Sequence, residues 1–310
     1  MTSESNSKTG FHGVYPILYS FFDASGQLNR QAMQRQVEAC IAGGAHGIAV
    51  MGLATEVGKL DVNERRQVID WVGEDIAGRV PYAVTVGEGS VPGQIAFVKA
   101  AKQAGADWAV LQPPAIVGVP EIEYVRFLGS VADQSDLPLG VQNAPGLMAT
   151  SLSNGALKTL NRQHSNVCLL KAEGPATYIS QLIHDTDNAF DIFGGIAGIQ
   201  FPDSLRAGCV GMIPAADLFD PQVRIYELMR EGTPEAIAQA ESIHRELLPL
   251  IVFMMSSVEN FIAYGKHLFA QRAGIESGGA RQPSVPVSEF GLKTMAHWAS
   301  HLGPLAITKT

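Results

Sequence analysis

A lysine and a glutamate stand two residues apart at the end of an apolar run, Asn166-Val-Cys-Leu-Leu-Lys171-Ala-Glu173. In an extended chain, side chains alternate between faces. Val167, Leu169, Lys171 and Glu173 therefore share one face, and Cys168, Leu170 and Ala172 take the other. An amine enclosed by apolar groups loses the hydration of its charged form. That favours the free base, a nucleophile able to condense with a ketone as an imine. A carboxylate on the same face, one layer further out, can move a proton at the carbon beside that imine. The same two residues would equally serve as a plain ion pair at a strand end, and spacing alone does not separate the two readings.

The elements that must position this pair alternate along the chain. Short runs rich in Val, Ile, Leu and aromatics fall at 13–21, 46–51, 82–86, 107–112, 139–143, 167–172, 190–193 and 210–213. Most are apolar on both faces, as strands of a parallel sheet read when both sides are covered. Helical patterns lie between them at 29–42, from Asp61 onward, and at 94–103, 121–133, 154–163, 177–185 and 202–206. The second opens Asp61-Val-Asn-Glu64, the capping-box spacing. The chain holds 32 Gly and 17 Pro, enough for many tight connections and too few for a fibrous or disordered chain.

Eight β-then-α units of about 25–35 residues predict an α/β protein built as a closed (β/α)8 TIM barrel. The rival, a doubly wound open sheet, calls for a Gly-rich first turn. Here the first strand runs into Phe21-Phe22-Asp23 instead. Lys171 and Glu173 then lie at the carboxyl end of the sixth strand, where barrels carry their chemistry. Further helical patterns at 234–248, 257–272 and 287–301 predict a C-terminal helical extension packed on the barrel. The expected division is an extended or disordered tail over 1–11, the barrel over 12–232 and the helical domain over 233–310.

Composition excludes other classes. The 310 residues are 46% hydrophobic and 17% charged, with a net charge of −8 and no basic block, which argues against nucleic acid or an anionic membrane surface as partner. The longest apolar run, 247–255, contains a proline and is too short to span a bilayer. The first ten residues lack the apolar core of a signal peptide. Cys40, Cys168 and Cys209 are scattered and make no disulfide framework or metal pair. A cytoplasmic protein is expected.

The segment Gly43-Gly-Ala-His-Gly-Ile-Ala-Val-Met-Gly52, followed by Glu56, Leu60 and Glu64-Arg65, resembles the second βα unit of the dihydrodipicolinate synthase/N-acetylneuraminate lyase family. So do Gly105-Ala-Asp107, Leu137-Pro138, Asn143-Ala-Pro145 and Leu170-Lys171, and the likeness runs over roughly 12–300. The resemblance implies a TIM barrel with a C-terminal helical domain, a homotetramer, and Lys171 as the Schiff-base residue.

The departures from the family pattern narrow the chemistry. Gly-Thr-Thr-Gly-Glu of the family is here Gly52-Leu-Ala-Thr-Glu56. Tyr-Asn-x-Pro becomes Gln142-Asn-Ala-Pro145, and a tyrosine pair after the fourth strand becomes Pro114-Ala115. The hydroxyl relay of aldol chemistry is absent at all three places. The arginine that the synthases use for a second substrate's carboxylate falls at Leu147, so condensation with aspartate semialdehyde is not expected. The family's common Lys-Glu order is here Lys171-Ala172-Glu173, which moves the carboxylate onto the lysine's face.

These features resemble the branch that dehydrates L-2-keto-3-deoxyarabonate to 2-oxoglutarate semialdehyde. By that resemblance Glu173 is the acid/base, assisted by a hydroxyl from the loop after the seventh strand. Ser204 is the candidate there, with a helix N-cap as its other reading. The substrate carboxylate is expected on the Ala54–Thr55 turn, where Thr55 could also be an ordinary turn residue. Gln142 is expected to bind substrate, because an amide donates and accepts hydrogen bonds but does not titrate. Gly195, in Gly194-Gly-Ile-Ala-Gly198, lies in the seventh βα loop, where a phosphate site or close backbone approach to the substrate would explain the glycines equally well. The iminium is the electron sink, so neither metal nor organic cofactor is expected.

Other activities in view are 5-dehydro-4-deoxyglucarate dehydratase, a pyruvate-releasing 2-keto-3-deoxy acid aldolase, and a catalytically silent keto-acid-binding regulatory barrel. His297 and His301 have helical i, i+4 spacing but no third ligand nearby in the sequence. His46 belongs to the barrel bottom, Cys168 to the core, and Phe253 with Met254-Met255 to helix packing.

Overall fold

A computed structural model describes residues 7–276 and 279–307. Eight strands form one parallel sheet: β1 (Gly13–Val14), β2 (Ile48–Val50), β3 (Tyr82–Val86), β4 (Trp108–Leu111), β5 (Leu139–Asn143), β6 (Val167–Ala172), β7 (Asp191–Gly194) and β8 (Gly211–Met212). Neighbours follow sequence order from β2 to β8, and β8 pairs with β1. Ile17 closes the seam, bridging Ala49 on one side and Ala215 on the other. The sheet is therefore a closed TIM barrel.

Helices α1 (Arg30–Ala42), α2 (Val62–Ile76), α3 (Val91–Gln103), α4 (Glu121–Ala132), α5 (Asn154–Gln163), α6 (Ala176–Asp185), α7 (Phe201–Ala207) and α8 (Phe219–Glu231) surround it. Asp61 caps α2 through the amides of Asn63 and Glu64, and the Glu64 side chain returns to the Asp61 amide, completing the expected capping box. The C-terminal extension consists of α9 (Pro234–Met254), α10 (Val258–Ala273) and α11 (Glu289–Trp298).

The interior is a packed core. Trp108 stacks on Phe193 with ring centroids 5.3 Å apart, and Tyr15 meets Phe193 edge-on at 5.2 Å. At the barrel bottom, Phe11 stacks on Trp108, while the amides of Lys8 and Thr9 donate to the buried Asp191 carboxylate. Residues 7–11 are thereby tied to the barrel; the first six residues of the expected tail lie outside the described range. His46, also at the bottom, bonds Glu227 and accepts from the Val14 amide. Phe253 packs edge-on against Tyr264 of α10, and Met254 is fully buried, as helix packing requires.

The extension is pinned over the barrel mouth by charge. Glu56, buried at the end of the turn after β2, accepts from Lys266 Nζ of α10 at 2.8 Å and from the Arg281 amide at 2.9 Å. Burial holds the Lys266 ammonium below the usual lysine range, and the Glu56 carboxylate opposes that shift. Arg281 forks onto both oxygens of Glu64.

Asp217, after β8, is buried and accepts from the Tyr19 hydroxyl at 2.8 Å. Burial pushes its carboxyl up to about 6, against the downward pull of the Tyr19 hydrogen bond. The folded state thus binds this proton more readily than the unfolded chain. The stability it contributes is present below the ordinary carboxylate range and is lost as pH rises through about 6. Asp217→Asn keeps an acceptor for Tyr19 and removes the titration. The fall in Tm between pH 5 and pH 7.5 is expected to shrink by a few °C in the variant. An identical fall in both proteins would place that pH dependence elsewhere.

Candidate active site

β6 ends with Lys171 and Ala172, and the chain leaves the sheet at Glu173. Lys171 faces inward between Gln142 of β5 and Phe193 of β7, its register partners. Its side chain is 5% exposed, and Nζ lies 3.2 Å from Glu173 Oε1. The alternation expected from sequence is realised, and the ion pair is the resting arrangement of the two groups.

Three contacts place Glu173. Lys171 holds Oε1, and Gln142 Nε2 donates to Oε2 at 2.6 Å. The third is backbone: a Cβ on Gly195 would come within 2.5 Å of Glu173 Cγ. Gly195 is therefore needed for the carboxylate that lies against it, a contact within the protein where approach to substrate was expected. Gly195→Ala is expected to displace Glu173 and lower turnover by about tenfold or more, with the fold retained. Wild-type turnover in Gly195→Ala would show that Glu173's position is not critical.

Gln142 is engaged at both ends of its amide. Besides donating to Glu173, its Oε1 accepts from Gln112 Nε2 at 2.8 Å. One N–H and one lone pair remain for a ligand. Gln112 follows β4 directly and was not singled out from sequence. The available signal was that it closes an apolar strand, as Gln142 and Lys171 nearly close theirs.

The Ala54–Thr55 turn is a 3-10 turn, Leu53–Thr55, with both residues buried. Thr55 Oγ1 donates to the Leu18 carbonyl at 2.8 Å, and its amide donates to the Gly52 carbonyl at 3.1 Å. Both donors of Thr55 are thus committed to the fold, so Thr55 anchors the turn. Among the described residues no backbone acceptor takes the amides of Leu53 and Ala54 in this turn.

Ser204 lies within α7, whose N-cap is Gln200, so the N-cap reading of Ser204 fails. Its amide donates to the Gln200 carbonyl, and its Cβ would sit 3.8 Å from a Cβ on Gly194. It therefore stands behind β7, one residue from the backbone that supports Glu173. The neighbouring Cys209 is buried and its thiol is pushed up to about 12, which makes it unreactive. The loop after β7 holds Ile196 and Ala197 at positive φ, 52° and 50°, a costly conformation for non-glycine residues. Gln222 of α8 donates to the Ala197 carbonyl at 3.0 Å, and His244 of α9 bonds the Gly198 carbonyl.

Asn143 is structural: its carboxamide accepts from the Leu152 amide and donates to the Leu152 carbonyl, closing the loop after β5. Tyrosine hydroxyls around the mouth are spent elsewhere. Tyr19 donates to Asp217, Tyr124 to the Ile116 carbonyl, and Tyr178 meets Asn143. Among the described residues no group of three or more His, Cys, Asp or Glu is placed to hold a metal. No helix there is long and apolar enough to cross a membrane.

Comparison with known proteins gives the family and supports the fold. The chain is 30% identical over 246 residues to a 4-hydroxy-tetrahydrodipicolinate synthase of Methanoculleus marisnigri, covering 78% of this chain and 83% of that one. It is 28% identical over 245 residues to the synthase of Methanosphaerula palustris, and 28% identical over 243 residues to YagE of Escherichia coli, a putative 2-dehydro-3-deoxy-D-gluconate aldolase. Those alignments cover 77% of this chain in each case, and 82% and 80% of the relatives. The crystal structure of YagE in complex with pyruvate shares the fold with a TM-score of 0.87 over 94% of this chain and 98% of that one, at 23% identity. Residues 10–302 match the dihydrodipicolinate synthetase family, and the chain belongs to that family.

Proposed function

We propose that this member of a Schiff-base lyase family is a hydro-lyase that converts L-2-keto-3-deoxyarabonate to 2-oxoglutarate semialdehyde. The observation that carries the reading is the Lys171–Glu173 contact of 3.2 Å, with the carboxylate on the lysine's own face of the strand. Retro-aldol cleavage must deprotonate the C4 hydroxyl of the bound substrate. Dehydration must instead take a proton from C3 and expel that hydroxyl. A carboxylate beside the imine nitrogen is suited to the second task, and Gln142, where the family pattern has tyrosine, cannot relay a proton.

In this mechanism the Lys171 amine condenses with the C2 ketone and releases water. Glu173 removes a C3 proton to give the enamine. The enamine pair expels the C4 hydroxyl, which leaves as water with the proton returned by Glu173; Ser204, behind β7, takes no part in this step. Loss of a C5 proton and reprotonation along the conjugated chain yield the enol of the terminal aldehyde, and hydrolysis frees Lys171. The substrate carboxylate rests on the Ala54 amide, and Gln142 offers its remaining N–H to the substrate. The iminium supplies the electron sink, so the proposal includes no metal or organic cofactor. It also makes the protein a cytoplasmic homotetramer, an assembly suggested by its family.

The test is to incubate the protein with L-2-keto-3-deoxyarabonate and assay both products. Semialdehyde formation supports the dehydratase. Pyruvate release supports the second reading, an aldolase, which the similarity to YagE favours. Neither product would reject this substrate.

A further inference from the structure

We propose that Gln112 is a positioning residue: by holding Gln142 Oε1, it sets the Gln142 carboxamide with its N–H on Glu173. This rests on the reading of Glu173 as the group that moves the proton. A carboxamide has nearly the same shape when turned by half a rotation, so only its partners decide which end faces which way. Here the partners are opposite in kind. Gln142 Nε2 donates to Glu173 Oε2 at 2.6 Å, and Gln142 Oε1 accepts from Gln112 Nε2 at 2.8 Å. Turned over, the amide would set oxygen against carboxylate and N–H against N–H, exchanging two hydrogen bonds for two repulsions.

The backbone of Gln112 is anchored on both sides. Its amide donates to the Val86 carbonyl at 2.9 Å, and its carbonyl accepts from Gln94 Nε2 of α3 at 2.8 Å. Its own Oε1 lies against Gly87, where a Cβ would come within 2.5 Å. The row therefore runs Gln112, Gln142, Glu173, Lys171 across the ends of three neighbouring strands, whose register sets Leu111 opposite Val141 and Gln142 opposite Lys171.

The consequence is a carboxylate held in one orientation by a donor that cannot accept its proton. A proton taken from C3 stays on Glu173 until the C4 hydroxyl receives it, because neither glutamine titrates.

The test uses the full-length protein. Gln112→Met keeps length and removes the hydrogen bond; kcat is expected to fall about tenfold while KM changes less than about twofold. Borohydride trapping of pyruvate on Lys171 should be unaffected, since imine formation does not need this row. In a Gln142→Met background, Gln112→Met is expected to add less than about twofold, as no carboxamide remains to be oriented. Multiplying effects in the double variant would overturn the proposal, because they would mean that Gln112 acts independently of Gln142. Gln112→Glu offers only an acceptor, which draws the Gln142 N–H away from Glu173, so it should cost more than Gln112→Met. A Gln112→Glu enzyme with wild-type kcat would also overturn it. Failure of the wild-type protein to trap pyruvate would instead reject the Schiff-base reading.

Discussion

Lys171→Ala is expected to abolish imine trapping by borohydride and to lower turnover by at least about 10⁴-fold, because no other amine can take over a covalent step at that position. The lysine is 4% exposed and its Nζ is in contact with Glu173, so its role is separable from bulk charge. Lys171→Arg makes the separation. A guanidinium restores the positive charge and the ion pair, but it remains protonated and does not form an imine. If the pair were only structural, Lys171→Arg would keep activity and Lys171→Ala would mainly lose stability. Equal loss of trapping and turnover in both variants, with melting of the Arg variant near wild type, identifies the amine as the nucleophile. Peptide mass spectrometry of the reduced wild-type adduct checks the site; an adduct on any other residue overturns the assignment.

Glu173→Gln is expected to give the complementary result: adduct retained, turnover lowered by about 10²–10⁴-fold. Glutamine keeps the size of the side chain and an oxygen to accept from Gln142 Nε2, so Gly195 and Gln142 still place it. What it loses is the ability to carry a proton. The imine therefore forms and then stalls before C3 deprotonation, which should appear as accumulation of trapped substrate rather than weaker binding. A Glu173→Gln enzyme within about threefold of wild-type kcat would move the base to another group. The two variants together distinguish formation of the covalent adduct from its chemistry.

The strands β3, β5 and β6 begin and end where hydrophobic patterning predicts, at 82–86, 139–143 and 167–172. The first strand does not. A run over 13–21 was expected, but pairing is regular only at Gly13–Val14. Pro16 has no N–H to donate to a ladder, and Ile17 instead bridges two strands to close the barrel. Periodicity registers apolar character and cannot see that an apolar run has become a seam. Helix α8 was likewise only implied, as the eighth unit of the barrel count, with no pattern assigned to it.

At the site, the order of residues along β6 was sufficient to place Lys171 and Glu173 on one face, since side-chain alternation is a local property of extended backbone. The sequence alone therefore determined the barrel and the lysine–carboxylate pair at the carboxyl end of its sixth strand. What it could not determine was which residues touch across strands and which donors are already spent. Thr55 has the right residue type for an anion contact, yet its hydroxyl belongs to Leu18. Ser204 reads as a possible cap, yet its helix begins at Phe201. Gln112 reads as one more polar residue after a strand, yet it completes a row to Glu173 through Gln142. Those facts depend on the register between strands and on the competition of each polar group for partners, which only the closed tertiary structure decides.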